Sequence, residues 1–308
     1  MGDLTAAERL LRADLGDRVR VGFPLAPLTS FRIGGPAALY VEAEEDGTLG
    51  AVGRAAREAD VPVRVIGKGS NVLIADDGFP GIVLRLGRGY RWAARDGDLL
   101  TAGGAMPLPA LAGVAMRHRL AGLEFGVAIP ASLGGAVKMN AGAHGRSMHE
   151  VLARIELFSL DAGGRTSLPA DHAGFSYRRS RLPAGAVVVA AAAGLTPGGD
   201  EDIRGRMEEA REWRRRTQPL AEANCGSVFK NPDGDHAARL IEDVGAKGLR
   251  VGGARVSEKH ANFIVADPGA RADDVWRLIE RVRERVRSAT GVELETEVET
   301  MGAVGDGA

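Results

Sequence analysis

The sequence has little cysteine, no long apolar run and almost no net charge, and each lack excludes a class of protein. Of its 308 residues only Cys225 is a cysteine, which excludes an internal disulfide framework and a cysteine-built zinc cluster. The longest apolar run, 186–193, is far shorter than the roughly 20 residues that span a bilayer, and it predicts a buried strand. With 40 basic and 41 acidic residues, the chain gives no reason to expect a nucleic acid or an anionic membrane as partner.

What is present is the composition of a soluble globular protein, with 44% hydrophobic and 26% charged residues. The length allows two or three domains, and a stretch rich in Pro and Gly at 196–200 predicts a boundary before an α+β domain. The N-terminus is rich in Asp, Glu and Arg and lacks a signal-peptide pattern. We therefore expect a cytoplasmic protein.

Hydrophobic periodicity predicts several elements. The capping-box pattern Thr5-Ala6-Ala7-Glu8 predicts the start of a first helix. A long amphipathic helix is expected from Val275 to Val286, followed by a last strand over 292–298. The arginines at 204–216 alternate with glutamates, which predicts a solvated helix face.

Two glycine-rich passages are candidate ligand loops. The first, Gly67-Lys68-Gly69-Ser70-Asn71, lies between two β-prone runs, whereas the dinucleotide fingerprint and the P-loop both open a helix. Its backbone N–H groups can surround a pyrophosphate, but a plain tight turn explains it equally well. The second runs from Gly122 to Gly145, where small residues either let the backbone lie against a large rigid ligand or serve helix packing.

The polar segment 224–232, Asn-Cys-Gly-Ser-Val-Phe-Lys-Asn-Pro, is a candidate catalytic site. It places the Ser227 hydroxyl between a glycine and an apolar pair, so the Gly-x-Ser-x-Gly elbow of many hydrolases is absent. A nucleophilic serine also needs a base beside it, and His236 or His260 leaves a triad open as a minor alternative. His144 and His149 lack the helical spacing of a metal site, so no metal is expected.

Five motifs follow one another along the chain: Gly67-Lys68-Gly69-Ser70-Asn71; Ile129-Pro130 through Gly134-Gly135-Ala136-Val137-x-Met139-Asn140-Ala141-Gly142; Tyr177-Arg178-x-Ser180; Gly226-Ser227-x-Phe229-Lys230-Asn231-Pro232; and His260-Ala261-Asn262-Phe263-Ile264. In this order and spacing they closely resemble the UDP-N-acetylenolpyruvoylglucosamine reductases, flavoenzymes of peptidoglycan (cell wall) precursor synthesis. The resemblance covers residues 20–302. The short distance from Arg178 to Ser227 is similar to that in the shorter of the family's two forms.

The resemblance implies an α+β fold in which a two-subdomain FAD-binding module of the vanillyl-alcohol-oxidase (PCMH) type precedes an α+β substrate-binding domain. We expect FAD-binding subdomains at 1–88 and 89–199, a substrate-binding domain at 200–302 and a disordered tail at 303–308. The implied cofactors are FAD and NADPH. The implied reaction reduces the enolpyruvyl group of UDP-N-acetylglucosamine enolpyruvate to UDP-N-acetylmuramate. No obligate protein partner is expected.

The resemblance also implies three catalytic residues, whose chemistry suits the reaction. Arg178 can hold a carboxylate bidentately where negative charge develops, because its guanidinium is planar and always charged. Ser227 is expected to give the proton that quenches this charge, and its neighbours must make so weak an acid effective. Glu297 matches the catalytic glutamate of the family, with Glu293 and Glu295 as competitors.

The remaining implied site residues fall into two sets. Those expected to bind the flavin are Gly67, Lys68, Gly69, Ser70, Asn71, Ile129, Pro130, Ser132, Gly134, Gly135, Asn140, Ala141 and Gly142. Those expected to bind the substrate are Tyr177, Gln218, Lys230, Asn231, His260 and Asn262, and for the last two a structural role is an equal alternative. The chain departs from the family at Ala128 and Ala131, where glycine is usual, and alanine there is costly if the backbone has positive φ.

Two other readings remain. An oxidase of the same fold acting on an alcohol or lactone is the alternative enzyme, and His144 could tether its FAD. A nucleotide-sugar sensor that binds without turnover is the alternative outside enzymes. The set Arg178, Ser227 and Glu297 argues against a sensor, because binding alone does not need a hydroxyl beside an apolar pair.

Overall fold

The computed structural model describes residues 2–305, and the chain forms two compact units. The first unit consists of the residues up to Val21, Leu39–Lys68 and Gly81–Arg214. The second consists of Gly22–Ala38, Gly69–Pro80 and the residues from Arg215 onward. The chain therefore passes between the units several times, so neither unit is a single continuous segment.

Helices and strands are mixed along the chain. The α-helices are α1 (Leu4–Leu15), α2 (Asp46–Glu58), α3 (Leu108–Arg117), α4 (Leu133–Lys138), α5 (Asp200–Thr217), α6 (Ala237–Asp243) and α7 (Ala272–Thr290). Short 3-10 helices span Gly16–Arg18, Ala26–Leu28, Arg88–Tyr90, Glu124–Ala128, Met148–Glu150 and Ala170–Ala173. The strands are β1 (Val19–Pro24), β2 (Pro36–Ala43), β3 (Val63–Val65), β4 (Val72–Ile74), β5 (Phe79–Leu86), β6 (Ala93–Asp96), β7 (Leu99–Gly103), β8 (Leu120–Ala121), β9 (Gly142–Ala143), β10 (Arg146–Ser147), β11 (Leu152–Ser159), β12 (Gly164–Pro169), β13 (Ala186–Gly194), β14 (Thr196–Pro197), β15 (Ala223–Asn224), β16 (Arg250–Val251), β17 (Ala254–Val256), β18 (Ile264–Ala266) and β19 (Glu299–Met301).

The first core of the first unit joins α1 and α2 to a sheet of order β1-β2-β5-β3. Leu11, Val41 and Leu49 are fully buried in it. The helix α1 begins two residues earlier than its capping-box pattern suggested, because the N-cap is Asp3, whose carboxylate accepts the Ala6 N–H at 2.9 Å. The capping box predicted at Thr5 is therefore wrong.

The second core of this unit lies on a five-stranded antiparallel sheet of order β12-β11-β13-β7-β6. Residues 187–193 of the central strand β13 are all buried, which confirms the buried strand predicted from the apolar run. The division of the flavin module into subdomains at 1–88 and 89–199 stays a prediction.

Helix α5 belongs to the first compact unit through Arg214, whereas the boundary predicted from the sequence lies at residue 200. The reason is apolar packing: Ile203, Met207 and Ala210 on one face of α5 form a small cluster with Ala112 and Val127. The Pro- and Gly-rich stretch before α5 thus lies within this compact unit.

The second unit packs α6 and α7 with an antiparallel sheet of order β15-β18-β17-β16. The predicted amphipathic helix is present as α7, which buries Val275, Leu278 and Val282. Within the described range, none of the helices has both the length and the apolarity to cross a bilayer. The same residues form no cluster of three or more His, Cys, Asp or Glu side chains that could hold a metal ion.

The end of the chain differs from the sequence prediction. Instead of a strand over 292–298, this segment is irregular and makes one bridge, between Thr296 and Phe229. The last strand is β19, which pairs in parallel with β4. Of the tail predicted to be disordered, Val304 packs against the core of this unit, and residues 306–308 lie outside the described range.

Candidate active site

A cleft in the first unit brings the two glycine-rich passages together. It has an empty volume of about 690 Å³, and its lining includes Gly67 and Lys68 from the first passage and Ser132, Gly134 and Gly135 from the second. A β-carbon added to Gly67 would lie 2.5 Å from Ser132 Oγ. That hydroxyl is itself engaged with the Gly135 N–H at 3.3 Å. The close approach of the passages therefore needs glycine at residue 67.

The walls of the cleft suit a flat ring system that carries phosphates. Val65, Leu86 and Val187 contribute apolar surface, whereas Arg85 and Arg91 add positive charge to that of Lys68 and Lys138. Apolar walls with a few convergent charges are the usual make-up of a cofactor site. The residues present thus fit FAD. Arg85 and Arg91 were missed in the sequence because they lie outside every glycine motif.

The end of the first passage lies in the second unit, where it supports Glu297. Asn71 Nδ2 donates a hydrogen bond to the Glu297 carbonyl at 3.0 Å, and the Asn71 carbonyl accepts the Glu299 N–H at 3.1 Å. Gly69 has a φ of +61°, and its carbonyl accepts the Ser30 N–H at 2.9 Å. These bonds assign Asn71 to positioning of the Glu297 segment, whereas the sequence had suggested a flavin contact.

Backbone pairing in the second unit places Ser227 and Glu297 on adjacent segments. The Glu297 N–H donates to the Val228 carbonyl at 2.8 Å, and the Lys230 N–H donates to the Glu295 carbonyl at 2.8 Å. Both Ser227 and Glu297 are half-buried. A hydroxyl and a carboxylate that are 70 positions apart in sequence are thus brought into one local structure.

Asn262 braces the Ser227 segment from the other side. Its Oδ1 accepts the Phe229 N–H at 2.9 Å, its Nδ2 donates to the Phe229 carbonyl at 2.8 Å, and its own carbonyl accepts the Val228 N–H at 2.9 Å. The residue is 4% exposed. Both ends of its amide are bonded to buried backbone, which favours the structural role that the sequence left open for Asn262 beside substrate binding.

The turn before Ser227 is shaped by Asn224, which sequence reasoning did not single out. Asn224 Oδ1 accepts the Gly226 N–H at 2.9 Å, and Gly226 adopts a φ of +83° that favours glycine. Cys225, between them, is buried in the core, and burial together with the nearby charge of Glu297 raises the pKa of its thiol. A thiol that stays protonated is a poor nucleophile, so Cys225 is a core residue.

His260 has the structural role that the sequence left open. Its Nδ1 accepts the Asn262 N–H at 3.2 Å, and its ring lies 4.7 Å from that of Phe263. Burial, and then the charge of Lys247, lower the pKa of His260 from its usual value. The imidazole is therefore held in its neutral form, which the hydrogen bond from Asn262 requires.

This lowered pKa predicts a pH dependence of stability. A neutral His260 contributes stability above its unfolded pKa of 6.5, and this contribution is lost as the pH falls through the lower folded value. In His260→Asn, the amide oxygen can accept the same N–H without titrating. We expect the free energy of unfolding, measured in urea at pH 7.5 and 5.5, to fall less in this variant than in the wild type. His172→Asn at an exposed position is the control, and an equally steep loss in His260→Asn would contradict the prediction.

The other residues expected to bind substrate lie near the Ser227 segment or on the Arg178 turn. Lys230 Nζ pairs with the Glu295 carboxylate. Asn231 Oδ1 accepts the Ala237 N–H at 3.1 Å, at the start of α6. Gln218 is half-buried and precedes the Ser227 segment. Their contacts with substrate remain proposals.

Arg178 lies in a tight turn of the first unit. Ser176 and Arg179 exchange backbone hydrogen bonds of 3.0 and 3.1 Å, and Arg178 has a φ of +53°. Its guanidinium carbon lies 5.2 Å from the centre of the Tyr177 ring, which is 53% exposed. The turn therefore presents an aromatic ring and a cation side by side.

The other residues of the second glycine-rich passage mainly form hydrogen bonds with backbone groups, and few of them line the cleft. The Ile129 carbonyl accepts the Ala131 N–H at 2.9 Å beside the exposed Pro130, and the Ala141 carbonyl accepts the Met148 N–H at 3.0 Å. Among the described residues other than glycine, positive φ occurs at Arg32, Asp60, Arg119, Asn140, His144 and Arg178. Ala128 and Ala131 are not in this set, so alanine causes no backbone strain there.

Comparison with known proteins first defines the class. Residues 37–166 match the model of the FAD binding domain. The fold of wild-type Phl p 4.0202, a glucose dehydrogenase, superposes with a TM-score of 0.50 at 12% identity, over 70% of this chain and 51% of that one. A likeness at this identity concerns the fold alone. The match to the FAD binding domain model and the lining of the cleft together indicate an FAD-binding module.

The family follows from closer matches. Residues 218–301 match the C-terminal domain of UDP-N-acetylenolpyruvoylglucosamine reductase. The reductase of Anaeromyxobacter sp. (strain Fw109-5) is 46% identical over 295 residues, 94% of this chain and 92% of the relative. The reductase of Heliobacterium modesticaldum is 45% identical over 284 residues, 92% and 90% of the two chains. The crystal structure of the Thermus caldophilus reductase superposes with a TM-score of 0.80 at 38% identity, over 92% of this chain and 99% of that one.

The chain belongs to the UDP-N-acetylenolpyruvoylglucosamine reductase family. The predicted family, the α+β fold with its flavin-binding module and the FAD-containing oxidoreductase are confirmed.

Proposed function

We propose that the chain uses NADPH to reduce the enolpyruvyl group of UDP-N-acetylglucosamine enolpyruvate to UDP-N-acetylmuramate, in the cytoplasm, for peptidoglycan precursor synthesis. When bound, FAD would supply the redox chemistry, which is hydride transfer from NADPH to the outer carbon of the enolpyruvyl group. The observation that carries the proposal is the pairing that places the Ser227 hydroxyl and the Glu297 carboxylate on adjacent segments, in a chain of this family.

The cleft of the first unit holds the cofactor. Gly134 lets the start of α4 pack closely against β13 in the wall of this cleft, since a β-carbon there would lie 3.1 Å from the Val188 carbonyl oxygen. Lys68, Arg85 and Arg91 supply positive charge for its diphosphate. Their charges are complementary to an anion in a partly desolvated groove.

Arg178 binds the carboxylate of the enolpyruvyl group. As hydride reaches the outer carbon, negative charge develops on the neighbouring carbon and its carboxylate. A guanidinium that binds this charge more strongly than the neutral alkene lowers the barrier. The adjacent Tyr177 ring supports the cation by a cation–π contact and covers one face of it.

Ser227 donates a proton to the carbon next to the carboxylate. A serine hydroxyl is a weak acid, so the acceptor must be strongly basic and the hydroxyl must be well placed. The bonds of Asn224 and Asn262 to the neighbouring backbone provide that placement. Glu297, on the adjacent segment, lies where it can orient the hydroxyl or the substrate.

Lys230 and Asn231 bind the diphosphate of the nucleotide. The ammonium of Lys230 now faces Glu295, whose side chain is 74% exposed. An exposed carboxylate is a weakly bound partner, so a diphosphate of higher charge displaces it. The chain needs no nucleic acid, membrane or obligate protein partner for this reaction.

NADPH oxidation tests the proposal. We expect the FAD-loaded protein to consume NADPH when UDP-N-acetylglucosamine enolpyruvate is added, and not when UDP-N-acetylglucosamine, which lacks the enolpyruvyl group, is added instead. Absence of consumption with a nucleotide that nevertheless binds would favour a sensor. Yellow colour that stays with the denatured protein would favour an oxidase with tethered flavin.

A further inference from the structure

Two side chains of the family motifs, Asn140 and Ser180, anchor the turn that carries Arg178. We propose that both are positioning residues, which fix Arg178 relative to the flavin cleft and act on the reaction only through it. The proposal rests on the role of Arg178 in the proposed function. It assigns a positioning role to Ser180. It also replaces the cofactor-binding role expected for Asn140 with a positioning role.

The turn needs anchoring because its backbone is strained. Arg178 adopts a φ of +53°, a region that residues with a β-carbon rarely occupy. Such a conformation persists only where the surrounding structure holds it. Within the turn itself, two backbone hydrogen bonds between Ser176 and Arg179 oppose this strain.

The additional support comes from the chain segment that leaves α4. Asn140 Nδ2 donates to the Ser176 carbonyl at 2.9 Å, before Arg178, and Ser180 Oγ donates to the Lys138 carbonyl at 2.6 Å, after it. The turn is therefore tied at both ends to residues 138–140. Losing either bond removes one of these two ties.

Asn140 is itself held in one orientation. It is 3% exposed, and its Oδ1 accepts the His149 N–H at 3.0 Å. With its oxygen engaged in this way, the amide must point its nitrogen at Ser176. An aspartate at this position would keep the acceptor for His149 but present a carboxyl oxygen to the Ser176 carbonyl, so Asn140→Asp removes that hydrogen bond and adds the cost of a buried carboxyl group.

The same segment provides space for the guanidinium. A β-carbon built on Gly142 would lie 3.1 Å from Nη1 of Arg178, so the side chain lies against this glycine. Helix α4 also contributes to the flavin cleft, through Gly134 at its start and Lys138 at its end. Residues 134–142 thus include cleft residues, Asn140, the carbonyl that accepts the Ser180 hydroxyl, and the glycine against which Arg178 lies.

A double-mutant cycle tests whether the anchors act through Arg178. Ser180→Ala and Asn140→Asp are each made in the FAD-loaded wild type and in Arg178→Ala. Two rates are measured by stopped flow, reduction of the flavin by NADPH and oxidation of the reduced flavin by the enolpyruvyl nucleotide. The affinity for FAD is measured by fluorescence.

We expect each single variant to slow oxidation by substrate about tenfold, the effect of one hydrogen bond. Flavin reduction and FAD affinity should stay within about twofold, the usual scatter between independent sites. In Arg178→Ala neither change should add a further loss. Ser180→Thr keeps the hydroxyl and should restore the rate. Ser167→Ala, which removes an exposed hydroxyl of the same unit bonded to Glu156, is the matched control.

The proposal would be overturned if either change slowed the reaction further in Arg178→Ala. It would also be overturned if a single variant slowed both half-reactions equally. Neither result would contradict the proposed function. Single variants with wild-type rates would also overturn the proposal without contradicting the proposed function. If the substrate fails to oxidise the reduced flavin of the wild type, the proposed function fails, and this inference fails with it.

Discussion

Replacing Ser227 with alanine should slow oxidation of the reduced flavin by substrate about 10²- to 10⁴-fold, the usual contribution of a positioned proton donor. Reduction of the flavin by NADPH should remain nearly unchanged. The two half-reactions respond differently because only oxidation of the reduced flavin by substrate requires a proton on the substrate carbon. Alanine removes the hydroxyl without adding volume, and the backbone bonds of Val228 and Phe229 that hold the segment do not involve the serine side chain.

Anaerobic stopped-flow measurement of each half-reaction checks this result. Ser288→Ala is the matched control, since it removes an exposed hydroxyl of the same unit that is bonded to Glu284 at 2.8 Å. The control should leave both rates unchanged. An equal loss in both half-reactions of Ser227→Ala would show that the residue supports the flavin or the fold and does not donate the proton.

Replacing Asn262 with leucine should lower the free energy of unfolding by about 2–6 kcal/mol, because a buried N–H and a buried carbonyl each lose a partner at about 1–3 kcal/mol. Both groups belong to Phe229, which is 2% exposed, so water does not replace the amide easily. Urea unfolding of the second unit measures this change. The loss is a large part of the stability of an ordinary domain.

Two further variants define the cause. Asn262→Asp keeps an acceptor for the Phe229 N–H and should show whether the donor half of the amide matters separately. Glu58→Leu, at an exposed position of α2, should stay within about 0.5 kcal/mol of the wild type. A loss in Asn262→Leu no larger than that of Glu58→Leu would contradict the bracing role.

Local patterns in the sequence predicted several elements well. The apolar positions of α7 repeat at helical spacing, and the short apolar run of β13 contains three valines, which favours a buried strand, so the residues of each segment themselves indicate its structure. By contrast, β19 forms because β4 lies beside it, more than 200 positions earlier in the chain. A β-prone segment such as 292–298 does not itself specify such a partner, which is why the last strand was misplaced.

The same distinction applies to the site. The motif order identified Ser227, Arg178 and the glycine passages, since these residue types carry the chemistry. The motif order did not distinguish side chains that contact a ligand from side chains that bond to backbone groups. Asn71, Asn140 and Asn262 all bond backbone groups far away in sequence, and only the folded chain places those groups within reach. Arg85 and Arg91 reach the cleft from a strand and the turn after it, where no motif marks them.

An anaerobic two-stage titration of the FAD-loaded protein tests the central claim most directly. NADPH is added first, and UDP-N-acetylglucosamine enolpyruvate follows, with the flavin absorbance recorded throughout. The account predicts that NADPH bleaches the flavin and that an equimolar amount of the enolpyruvyl nucleotide restores its absorbance, with UDP-N-acetylmuramate as the product. A flavin that stays reduced in the presence of the nucleotide, and regains its colour only when oxygen is admitted, would contradict it.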